Sequence, residues 1–132
     1  MKQTRYGMVV TTSRSMAEAE AAISESLASE GFGILSEIDV AATLKQKLGV
    51  DRAPYKILGA CNPLLAYRGL EAEEDLGLLL PCNVVVYVKG DKTVVAALEP
   101  QLMADVADNP ELQDIATEAR GRLQKALARL EA

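Results

Sequence analysis

The stretch "NVVVYVKGDKTVVAAL", residues 83–98, decides the fold. Two runs rich in β-branched residues, 83–88 and 93–98, flank "KGDK", where Gly90 supplies the positive φ of a tight hairpin turn. A hairpin makes the two strands antiparallel neighbours. The first run is apolar at consecutive positions, so both of its faces call for cover.

Working towards the N-terminus, "YKILGACN" (55–62) reads as another strand, closed by Asn62-Pro63. Residues 63–80 are rich in Leu, Ala and Glu and predict two short helical turns broken near Gly69. "GILSEIDV" (33–40) alternates, with Ile34, Ser36, Ile38 and Val40 on one face, which predicts a strand with at least one buried face. "VAATLKQKL" follows as a two-turn helix, capped by Asp39 and ended by Gly49. "YGMVVTT" (6–12) is the first strand. Ser15 and Glu18 form a capping box, and Met16, Ala19, Ile23 and Leu27 recur at helical spacing. Gly31 ends that helix near residue 30, with Phe32 folding back on Leu27. Towards the C-terminus, Asn109-Pro110 starts a last helix. Leu112, Ile115, Ala119, Leu123, Leu127 and Leu130 give it one apolar stripe to about 130.

This order predicts a single α+β domain, 1–132, of two layers. Two main helices cover one face of a mostly antiparallel five-stranded sheet. The other face is then solvated, capped by the short segments, or buried against a second copy. The apolar 83–88 run favours the last two, so a homodimer is expected, with an interface of at least roughly 1,000 Å² in total.

Composition narrows the function classes. The net charge is -5, and the positive charges are scattered. Nucleic acid, whose binding rests on phosphate neutralisation, is not an expected partner. There is no histidine, which removes histidine acid–base chemistry and every His-containing metal site. No apolar run reaches the length of a membrane span and the N-terminus lacks a signal-peptide pattern, so no membrane partner and a cytoplasmic location are expected. No phosphate-binding glycine loop, nucleophile elbow, calcium loop or CxxC is present. The sequence names no cofactor.

The elements "GILSEIDV", "YKILGACNP", "GLLLPCNVVVYV" and "VVAALEP", in this order and spacing, resemble the bacterial and archaeal domain-of-unknown-function family numbered three-zero-two. The resemblance runs from the first strand to the last helix. It implies a curved antiparallel sheet with two helices on one face, similar to the TATA-binding protein, and pairing as a dimer. It also implies a link to sulfur handling, through the gene neighbourhoods of some members. It implies no defined activity.

Only two cysteines are present, Cys61 and Cys82, each followed by an asparagine, Asn62 and Asn83, and each beside a proline. If their strands run antiparallel, both thiols reach the same end of the sheet, with the two asparagine amides nearby. That predicts a binding site for a small ligand, a sulfur species or a soft metal, with free thiols. The competing reading makes both cysteines small packing residues in strand-end turns of a structural or regulatory interaction domain. A third reading is an enzyme of undefined reaction with a cysteine and the carboxylates Glu37 and Asp39, which share one strand face, in its site. The simpler account of that pair is a solvated face and a helix cap.

Overall fold

The computed structural model describes residues 1–131. The strands are β1 Lys2–Gln3, β2 Gly7–Thr12, β3 Gly33–Asp39, β4 Tyr55–Cys61, β5 Cys82–Lys89 and β6 Lys92–Leu98. The helices are α1 Met16–Ser29, α2 Val40–Leu48, α3 Pro63–Ala72, α4 Gln101–Ala107 and α5 Gln113–Ala128, with 3-10 segments at Glu74–Leu79 and Pro110–Leu112. One sheet has the order β1-β2-β6-β5-β4-β3, and every neighbouring pair is antiparallel. The expected five strands are therefore six. The extra one, β1, sets only Lys2 and Gln3 against Val9 and Met8, too short to leave a pattern of alternation.

Local chemistry sets the helix ends. Ser15 Oγ accepts from the Glu18 amide at 3.2 Å, and Glu18 Oε1 accepts from the Ser15 amide at 2.9 Å. Such a cap is worth about 1 kcal/mol. At the other end of α1, the Phe32 amide donates to the Leu27 carbonyl and Gly31 takes φ +84°. This is the Schellman turn that returns Phe32 to the core.

The pairing register places Met8, Ala97, Val84 and Leu58 in one row across four strands. All four are buried and form one cluster with Ile23 and Leu27 of α1 and Leu123 and Leu127 of α5. The aliphatic composition leaves this row to provide the core, at about 1.5–3 kcal/mol for each fully buried side chain. The opposite face carries a second row, Val9, Ala96, Val85, Ile57 and Ile38, across five strands. None of these is buried. Beside them Tyr55 and Tyr87 stack across the strands, with ring centroids 5.1 Å apart.

Two expectations change, and one helix enters that the sequence does not announce. First, β3 has no buried residue, and Ile34 alone packs partly onto the core. A bulge between Ile34 and Ser36 puts Ile34 opposite Ala60 and Ser36 opposite Gly59. The extra residue flips the face, so Ile34 no longer shares a side with Ser36 and Ile38. Second, α3 runs unbroken through Gly69. A Cβ there would lie 2.6 Å from Leu76 Cδ2, so the glycine admits the following 3-10 segment rather than ending the helix. Third, α4 has no side-chain cap and stops at a left-handed Asp108, φ 52°, so neither of its ends carries the usual sequence mark.

Candidate functional site

The strand-to-helix turn after β4 is one residue long. Asn62 ends the strand, its Oδ1 accepts from the Leu65 amide at 3.2 Å, and Pro63 opens α3 at a position that needs no N–H. On the neighbouring strand Cys82 pairs with Ala60. The antiparallel register therefore brings both Cys-Asn turns to the same end of the sheet. Gly59 lies between them, where a Cβ would collide with Ser36 Oγ and come within 2.9 Å of Pro81 Cγ. Only a residue without a side chain lets β3, β4 and the turn into β5 close here.

Above this end lies a cavity of about 450 Å³. Its floor is the sheet end, with Cys61 and Cys82; its walls come from α3, the Glu74–Leu79 segment, α4 and the first half of α5. No Asp, Glu, Lys or Arg lines it. Its far wall belongs to a second hydrophobic cluster, built on Leu76, Ala104, Leu112 and Ala116 and separate from the main core. Alanines on α4 and α5 leave the space that larger side chains would fill.

Both cysteines are free thiols. Cys82 is 7% exposed, and burial, followed by the neighbouring Cys61, pushes its thiol up to about 11. At neutral pH it stays protonated, a poor nucleophile and a poor metal ligand. Cys61 is half-buried in the cavity floor. Among the described residues, no group of three or more His, Cys, Asp or Glu is placed to hold a metal ion. No helix among them is long and apolar enough to cross a membrane.

The other residues singled out from the sequence lie elsewhere. Asn83 is exposed and opposite Gly59, outside the cavity lining. Asp39 caps α2 through the Ala42 amide at 2.9 Å. Glu37 pairs with Lys56 Nζ at 2.8 Å, and Glu20 joins at 3.0 Å. Hydrogen bonds to Glu37 and then Glu20 hold the Lys56 ammonium well above the ordinary lysine value. Lys56 is five residues from Cys61 along β4, about 17 Å at the strand rise. The carboxylates and the thiols are thus not one site. What sequence reasoning missed is the wall, Met103 and Ala104 of α4 with Leu112 and Ala116. The alanine positions on α5 carry a faint signal, being too small to fill the stripe they share with leucines.

The family model described as Domain of unknown function DUF302 matches residues 8–130. The crystal structure of an uncharacterised conserved DUF302 protein from Bacillus stearothermophilus is similar throughout, at TM-score 0.89 and 34% identity, covering 96% of this chain and 99% of that one. No protein with a curated description matches this chain.

Proposed function

The chain belongs to the DUF302 family, whose function is undefined, and from that premise we propose that it is a non-catalytic module binding a small ligand in the cavity over Cys61 and Cys82. The observation that carries this reading is the cavity itself. Its volume of about 450 Å³ is within the range of small-molecule sites, and its lining is apolar with a few polar groups converging at one end.

The chemistry of the floor favours a non-covalent ligand over a soft metal held between both sulfurs. That metal needs two thiolates, and burial keeps the Cys82 proton in place. The two thiols then serve as small, polarisable surface against which the ligand packs.

The same reading includes a homodimer. The row Val9, Ala96, Val85, Ile57 and Ile38 is a continuous apolar strip of which no member is buried, and a second copy presents the same strip for a two-fold contact. Native mass spectrometry of protein taken directly from cells tests both parts. The expected result is a dimer carrying an organic adduct that is lost on denaturation and missing from an Ala116→Leu variant that still folds. Protein that never carries such an adduct, and that takes up no apolar molecule when offered one, would sink the binding reading.

A further inference from the structure

Resting on the reading that this cavity holds a ligand, we infer that the ligand class is a small uncharged apolar molecule with a single hydrogen-bond-accepting oxygen, of ketone, ester or amide type, received by the side-chain amide of Asn62. The size follows from the volume. A cavity of about 450 Å³ lies in the range that takes a small organic molecule. The neutrality follows from the lining. With no charged side chain on any wall, an ion brought in would lose its hydration and gain no partner.

The acceptor follows from Asn62. The residue is 8% exposed, so more than nine-tenths of it is buried, and it lines the cavity. Its Oδ1 is already taken by the Leu65 amide, which fixes which end of the side chain is oxygen. Its Nδ2 makes no hydrogen bond to any described residue. Nor is it sealed in, because no fully buried side-chain nitrogen or oxygen among the described residues lacks a partner. The amide rests against the turn after α1, where a Cβ on Gly31 would lie 3.0 Å from Nδ2 and 3.2 Å from Arg122 Nη1; Gly31 and Arg122 lie outside the lining, and Phe32, the next residue, is on it. A buried, held donor with no protein acceptor is a hydrogen bond waiting for one. The two NH hydrogens make the site ask for an acceptor and reject a donor.

Asn62→Asp separates the two roles of this side chain. The aspartate still caps α3 through one oxygen, as aspartate does at such positions, but replaces the donor with a second acceptor. The probe is the neutral dye N-phenyl-naphthylamine, displaced by undecane, methyl nonyl ketone, undecanoate or undecylammonium. The native protein is expected to bind the dye and to release it to the ketone at roughly 3- to 10-fold lower concentration than to undecane, the scale of one net hydrogen bond. The two ions are expected to compete worse than undecane. In Asn62→Asp, compared under conditions where circular dichroism shows it folded, the ketone should lose its advantage while the dye still binds. If dye binds but the ketone advantage is absent, survives in Asn62→Asp, or is exceeded by an ion, the inference about ligand class is overturned and the cavity reading stands. If the native protein binds no dye, or if both Ala116→Leu and Ala66→Phe fold and bind it unchanged, the cavity reading falls and takes the inference with it.

Discussion

At the scale of single residues, the sheet end is governed by what is missing from Gly59 and what is retained on Cys82. A methyl group on Gly59 would meet Ser36 Oγ and Pro81 Cγ, so Gly59→Ala should lower stability by about 1–3 kcal/mol, read from the urea midpoint, as overpacking does. The Cys82 thiol keeps its proton to about pH 11 in the fold, against an ordinary value of 9.0. Between these values the unfolded chain binds fewer protons than the folded one, so stability falls as pH rises. The stabilisation is complete below pH 9 and lost on passing through 11, about 2–3 kcal/mol at the usual conversion. Urea titrations at pH 8 and pH 11 should show a drop that is smaller by that amount in Cys82→Ala; equal drops in both proteins would refute the assignment. Alkylation of the folded protein at neutral pH should modify Cys61 before Cys82. That the two thiols share a sheet end was legible from the sequence, because two strands separated by a returning segment imply antiparallel pairing. That Asn62 faces the site and Asn83 does not was not legible, because the side of the sheet on which a residue emerges depends on register.

At the scale of elements, the strongest sequence signals were those with two independent marks. The box at Ser15 and Glu18, the Gly31 turn and the Asp39 cap each pair a propensity with a specific hydrogen bond, and each is found in the fold, whereas Asn109 caps the Pro110–Leu112 3-10 turn and α5 starts after it, at Gln113. Elements with one mark or none were misread. Gly69 reads as a breaker in the sequence because the close approach of Leu76 is tertiary information. The alternation of β3 was taken as burial, although an edge strand with a bulge alternates just as well. The segment 63–80 and α4 are anchored on the small cluster of Leu76, Ala104, Leu112 and Ala116 instead of the main core, with Asn109 Nδ2 tying α3 down through the Ala72 carbonyl at 3.0 Å. Fewer buried contacts mean a lower opening free energy. Native-state hydrogen exchange should therefore show amides of α3 exchanging well before those of β5 and β6. Asn109→Ala should widen that gap by roughly 1 kcal/mol, through the loss of its hydrogen bonds. Uniform protection across α3 and the hairpin would contradict this division.

At the scale of the whole molecule, the question is how a single-layer sheet keeps its outer surface from water. The outer row from Val9 to Ile38 predicts a dimer in light scattering at micromolar concentration. Val85→Lys, central in the row, should shift it to monomer while leaving the circular dichroism unchanged, since its side chain points away from the helices. Monomer in the native protein across a wide concentration range would remove the dimer. The sheet's margins decide what kind of association is open to it. One margin is a two-residue strand; the other is a strand kinked by a bulge, with Glu37 and Asp39 beyond the kink. Neither offers a straight ladder of free N–H and C=O groups onto which another chain could add. Growth by edge addition, the route to fibres, is thus blocked at both sides. A face-to-face contact about a two-fold axis, as proposed above, would cover the row from Val9 to Ile38 and stop at two. The bulge in β3 thus bears on how copies of the chain could meet, and prolonged incubation at high concentration should yield no thioflavin-positive polymer.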